Sequence, residues 1–290
     1  MNMFTGSIVA LVTPFKNGGI NFETLKKLFE FHKENGTDAI LLSGTTGESP
    51  TLSLEEKIEL FSFGKKNTEI PILAGTGNYN TKETIELTRT AEEIGVDAAL
   101  VITPYYNKPT QKGLYAHFKA VSENVKLPII IYNVPGRTGV SISPEVVAEL
   151  SQIPHIIGIK EASGSLKQCF EIKKRAGKDF ILLSGDDALT IPIMSCGGKG
   201  VISVTANIAP GMVREMVQVY LSGDLDKAKE IHYKLLPLTD AMFVETNPIP
   251  VKIALRLIGF DVGPLRLPLV EPSEKSLEVI KNELKKIGAL

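Results

Sequence analysis

Tryptophan is missing from this chain and cysteine is nearly so, with Cys169 and Cys196 as the two thiols among 290 residues. They lie apart from each other and from any CxxC or Cys/His spacing, so neither a zinc knuckle nor a disulfide scaffold has support, and buried free thiols in a reducing cytoplasm are expected. Charge of one sign is equally scarce. The 32 basic and 33 acidic residues leave a net charge of -1 without a long run of either sign, which speaks against nucleic acid and membrane surfaces as partners. No apolar run approaches the roughly 20 residues that crossing a bilayer takes. Met1 to Phe15 lacks a basic leader region, and its apolar stretch Ile8 to Val12 stops at Thr13-Pro14, so a signal peptide is not expected. The motifs GxGxxG, GxSxG and HExxH are absent, leaving a dinucleotide fingerprint, a hydrolase elbow and a zincin helix without footing.

What the chain does have is repetition. Short β-branched runs recur at 7–12, 39–44, 70–77, 98–104, 128–135, 156–162, 180–185 and 200–204. They are nearly continuous in apolar residues, as strands covered on both faces are. Amphipathic segments alternate with them: 21–36 repeats apolar residues at three-and-four spacing and stops at Asn35-Gly36, 53–66 opens with the capping-box pair Ser53 and Glu56, and 81–95 ends on glycine. Eight such units predict a (β/α)8 TIM barrel over residues 1–224. Beyond it the strand-like runs cease, and 225–290 reads as a small C-terminal helical domain packed directly on the barrel.

Active sites of such barrels lie at the C-terminal ends of the strands, so the residues that end each run carry the functional signal. Lys160 ends the string Ile156-Ile157-Gly158-Ile159 and shares a face with Gly158, which is expected to leave space beside it. A poorly solvated ammonium favours its neutral amine, the nucleophile that attacks a ketone to form a Schiff base. The segment alone fits equally a lysine paired with a carboxylate or snorkelling to the rim. Thr45, Tyr106 and Tyr132 end strands around the same mouth, and their hydroxyls could pass protons without adding charge; taken singly, each also fits a packing role. Arg137, past the fifth run, suits either a bidentate grip on a carboxylate or a surface ion pair. Asp186-Asp187 reads as a helix N-cap, since no further ligands at other strand ends join it to make a metal site. His32, His117, His155 and His232 fall away from the strand ends and read as structural.

These residues stand in a set of motifs: GTTGES (44–49), TPYYNKP (103–109), YNVPGRTG (132–139), IGIKEASG (157–164), SGDD (184–187), GGKGVISVTAN (197–207) and ETNPIPVK (245–252). Together, in register from Phe4 to near the C-terminus, they resemble the dihydrodipicolinate synthase family, within the superfamily of N-acetylneuraminate lyase and the pyruvate-dependent class I aldolases. The resemblance implies a lyase of lysine and diaminopimelate biosynthesis that condenses pyruvate with L-aspartate 4-semialdehyde to 4-hydroxy-tetrahydrodipicolinate. It implies an imine on Lys160, proton transfer by Tyr132, and a link through Thr45 to a Tyr106 contributed by the neighbouring subunit. Thr46 and the backbone at Ile202 would hold the pyruvate unit, Gly185 would line the pocket, and Arg137 would bind the carboxylate of the second substrate. No cofactor or metal is implied, and a homotetramer built as a dimer of dimers is.

Two other readings stand beside this one. A sugar-acid aldolase or lyase of the same superfamily shares the barrel, lysine and tyrosine, but such enzymes generally lack an arginine where Arg137 stands and commonly carry a serine in the GTTGE-like motif. A non-catalytic keto-acid sensor would have no need of the whole set. Members of the family that lysine inhibits carry an allosteric site at the dimer interface, with two histidines at the positions of Leu54 and Lys57 and an asparagine at that of Tyr79. The departures imply weak feedback or none, although Glu83 and Tyr105 of that site remain.

Overall fold

The apolar runs form eight parallel strands that hydrogen-bond in sequence order and close on themselves, so the barrel has no unpaired edge. In the computed structural model, which describes residues 4–290, the strands are β1 (Gly6–Ala10), β2 (Ala39–Leu42), β3 (Ile72–Gly75), β4 (Ala98–Ile102), β5 (Ile129–Asn133), β6 (Ile156–Glu161), β7 (Ile181–Ser184) and β8 (Gly200–Ser203). Met1 to Met3, the head of the stretch considered above as a leader, lie outside the described residues. Closure shows in Ile8 of β1, which pairs with Ala39 of β2 on one side and Ile202 of β8 on the other.

The lack of alternation in the runs has a direct cause. Ile8, Ala39, Leu41, Leu100, Ile130 and Leu183 fill the barrel interior, while intervening residues such as Val9, Ile40, Val101 and Ile131 join the larger core beneath the surrounding helices. Both faces of every strand are therefore dry, and a TIM barrel results.

The helices between strands are α1 (Phe22–Glu34), α2 (Leu54–Asn67), α3 (Thr81–Ile94), α4 (Gln111–Asn124), α5 (Pro144–Leu150), α6 (Leu166–Ala176), α7 (Thr190–Ser195) and α8 (Pro210–Leu221). Their ends follow the signals in the sequence. Ser53 and Glu56 close a reciprocal capping box on α2, and α3 ends at Gly95 with φ 85, a left-handed turn open to glycine. Three further helices follow, α9 (Leu225–Met242), α10 (Ile249–Leu257) and α11 (Glu274–Lys286). On α9 the buried residues Ala228, Ile231, Leu235, Leu238 and Met242 repeat at steps of three and four, a stripe whose larger members each contribute about 1.5–3 kcal/mol of burial. The Thr239 hydroxyl shares a hydrogen bond of 3.0 Å with Thr205, just past β8, which brings the end of α9 to the barrel mouth. No helix among the described residues is long and apolar enough to cross a membrane.

Candidate active site

Strand alternation turns Lys160 into the barrel and the next residue, Glu161, out of it. The outward carboxylate is fully engaged, accepting from the side chains of Asn133 and Gln168 at 3.0 Å each and from the backbone N–H of Ser163 at 2.6 Å. This network fixes the end of β6 and holds Lys160 opposite Tyr132 of β5 and Leu183 of β7. Lys160 is 5% exposed, and its Nζ lies 4.3 Å from the centre of the Tyr132 ring.

Burial is the main influence on that amine and lowers its pKa from 10.5 to about 8, with Asp187 opposing the fall and Arg137 adding to it. At neutral pH about one such lysine in ten is then a free amine, against about one in three thousand at the ordinary value. Asp187 is buried as well. It accepts a hydrogen bond from the Ser203 hydroxyl and another, 2.9 Å long, from the backbone N–H of Val204. Burial raises its pKa, while those bonds and Lys160 pull it back. The Tyr132 phenol is likewise raised by burial, with Arg137 and then Thr45 drawing it down.

The room around Lys160 does not come from Gly158, as expected from the sequence. A Cβ at Gly158 would stand 2.6 Å from the Ile181 carbonyl oxygen, so that glycine admits the backbone of β7 instead. Gly185 makes the space: a Cβ there would lie 2.9 Å from Lys160 Cε and 2.8 Å from the Ala162 Cβ.

A cavity of about 410 Å3 opens above the lysine, and Thr45, Thr46, Tyr132, Arg137, Lys160 and Gly185 all border it. Two of the residues singled out in the sequence do not. Ile202 is 1% exposed inside the barrel, and the β8 side of the cavity is formed by Val204. Tyr106 is 92% exposed and does not border the cavity. Its backbone is left-handed, φ 66, as is that of Lys108 at φ 46, a conformation costing a non-glycine residue about 1–3 kcal/mol that is tolerated mainly where function needs it. The segment is braced by a bond of 3.0 Å from the Asn107 side chain to the Tyr79 carbonyl and by the edge-on contact of Tyr79 with Tyr105.

Helix α9 and the connection that follows it supply wall residues not assigned from the sequence: Thr239, Asp240, Phe243 and Asn247. Asn247 matters most, because its side-chain amide donates to the Thr46 hydroxyl at 3.0 Å and its carbonyl accepts from Arg137 at 3.1 Å. Arg137 forms no ion pair among the described residues, which leaves part of its fork for a bound anion. Of the aspartate doublet, Asp186 caps the turn that follows, accepting from the N–H groups of Ala188 and Leu189, but Asp187 is the buried neighbour of Lys160. The histidines stay away from the cavity: His32 is bonded to Thr37 and His117 to Thr81. Both cysteines are free and buried.

A buried lysine with a lowered pKa beside a tyrosine, in a pocket with an arginine at its rim, defines a barrel of the kind that holds carbonyl compounds as imines. Residues 3–287 match the model of the Dihydrodipicolinate synthetase family, and the chain belongs to that family. It is 53% identical to the 4-hydroxy-tetrahydrodipicolinate synthase of a Thermoanaerobacter species, the similarity covering 100% of this chain and 99% of that protein. Among solved structures, the dihydrodipicolinate synthase of Aquifex aeolicus superposes with a TM-score of 0.97 at 49% identity, covering 99% of each chain. The chloride-inhibited dihydrodipicolinate synthase of Acinetobacter baumannii, complexed with pyruvate, does so at 0.96 and 46%, again over 99% of each.

Proposed function

We propose that this protein catalyses the reaction for which its relatives are named, condensing pyruvate held on Lys160 with L-aspartate 4-semialdehyde. The observation that carries the reading is the buried amine of Lys160 against Tyr132 in a cavity with Arg137 at its rim. The neutral amine adds to the keto carbon of pyruvate, and the carbonyl oxygen leaves as water after taking protons through Tyr132. Loss of a methyl proton to the same tyrosine gives the enamine, whose carbon attacks the aldehyde while the new alkoxide is protonated. The amine brought in by the second substrate then adds to the imine carbon, closing the ring and releasing Lys160 as a free amine.

Thr46 holds the pyruvate carboxylate and Arg137 that of the aldehyde. The relay from Tyr132 passes through Thr45 to the partner's Tyr106; the exposure and strained backbone of Tyr106 in this chain favour that arrangement. The working unit is then a dimer, two of which pair into a tetramer, in the cytoplasm. Lysine is a weak inhibitor or none, because Lys57, whose pKa burial lowers and Glu83 partly restores, stands as a second cation beside the cavity, with Leu54 and Tyr79 half exposed. Half-inhibition by sub-millimolar lysine in a steady-state assay removes this part.

The assignment of substrates is tested by turnover. Pyruvate with L-aspartate 4-semialdehyde should be preferred to N-acetylneuraminate and deoxy-sugar acids, and Arg137→Ala should raise KM for the semialdehyde by roughly tenfold or more while leaving pyruvate capture intact. Preference for a sugar acid, with an adduct on Lys160 still formed, leaves the imine standing and overturns the substrate.

A further inference from the structure

Thr45 and Thr46 sit on residues 44–48, a loop held from behind by the C-terminal segment. At its end Glu48 adopts the left-handed conformation, φ 55, which a glutamate does not take without compensation. Its carboxylate accepts from Lys252 Nζ at 2.7 Å and from the backbone N–H of Arg266 at 3.0 Å. Lys252, on α10, also donates to the Pro264 carbonyl at 2.9 Å and lies over the Phe15 ring at 4.4 Å. Both charged side chains of the pair are 0% exposed, and neither residue borders the cavity.

A buried ion pair of this kind is a poor source of net stability, because the cost of desolvating two charges offsets much of their attraction and an apolar replacement often does as well. What the pair supplies here is directional contact, joining the end of the loop to α10 and to the backbone of Arg266. The hydrogen bond from Asn247 to Thr46 adds a second attachment from the same segment, two residues before α10. Arg266 extends the grip by pairing with Glu56 at the start of α2 and donating to the Thr51 carbonyl at 2.9 Å.

We propose that the Glu48–Lys252 pair is a positioning device for the reaction, by which helix α10 holds loop 44–48 so that the Thr45 and Thr46 hydroxyls meet Tyr132 and the imine. Lys252 is thus a positioning residue, acting through Glu48 and the loop without touching substrate. The inference rests on the imine reading of Lys160. It makes the C-terminal helices part of the catalytic apparatus, beyond the wall residues they contribute.

The test is the rate at which pyruvate is trapped on Lys160 by borohydride, a readout that needs no second substrate. Glu48→Gln, which keeps the shape and removes the charge, should slow trapping roughly tenfold or more with far-UV circular dichroism unchanged, and should slow it by much less in a Thr45→Val background, because the hydroxyl being positioned is already gone. An unchanged rate, or the same factor in both backgrounds, overturns the proposal. If Glu48→Gln does not fold, the Glu48→Gln/Lys252→Met variant, which leaves no lone buried charge, is judged by the same two criteria. Failure of both to fold also overturns it, in favour of a purely structural pair. If the unsubstituted protein traps no pyruvate, the imine reading itself falls.

Discussion

Lys160 illustrates how far a single residue can be understood from its neighbours in sequence. The apolar string before it was enough to suggest a desolvated amine, but a structural lysine fitted equally well, because its nearest carboxylate of consequence, Asp187, comes from a different strand end. The structure buries the amine without an ion pair among the described residues and lowers its pKa to about 8, which speaks against a paired or rim-facing lysine. Since the neutral form reacts, the rate of pyruvate trapping should rise with pH through about 8 and level off above it, followed by stopped trapping and mass spectrometry. A profile still climbing steadily towards the ordinary lysine value would show that burial does not set the reactivity. Tyr132→Phe removes the proposed proton carrier and should lower kcat by roughly a hundredfold or more in steady-state turnover. Asp187 itself was legible only as a turn-capping residue, since adjacent aspartates give no sign of which one folds inward.

At the scale of elements, the strand and helix pattern was readable because barrel strands are apolar on both faces and the helix caps are local. Ser53 with Glu56 and the glycine closing α3 needed no tertiary information. Glycines inside the barrel were harder to interpret. Gly158 and Gly185 flank the same lysine, yet the first admits the neighbouring strand and the second admits the lysine side chain, a distinction that depends on inter-strand register. Gly185→Ala should therefore fold but crowd Lys160 Cε, lowering the trapping rate by about tenfold or more while a thermal melt shifts little. An unimpaired trapping rate would show that the side chain has another route through the site. Asn247 could not be placed from the sequence at all, because its partner Thr46 lies 201 residues away.

At the scale of the whole molecule, two buried histidines tie stability to acidity. Burial lowers the pKa of His32 to about 3 and of His117 to about 4 from 6.5, so the unfolded chain binds more protons than the folded one throughout that interval. Their stabilising contribution is complete above about pH 6.5 and is lost as pH falls towards 4 and 3. Urea midpoints should drop across this range, and His117→Gln should flatten the drop; an unchanged slope would show that His117 does not contribute to the acid sensitivity. Assembly is the property least legible in one chain, since a single copy shows Tyr106 only as an exposed residue with a left-handed backbone. The central claim is tested most directly on the intact protein: incubate it with pyruvate, reduce with borohydride, digest, and locate the modified residue by mass spectrometry. The account expects one adduct, on the peptide containing Lys160, and none in Lys160→Arg; an unmodified Lys160, or equal labelling of the variant, would contradict it.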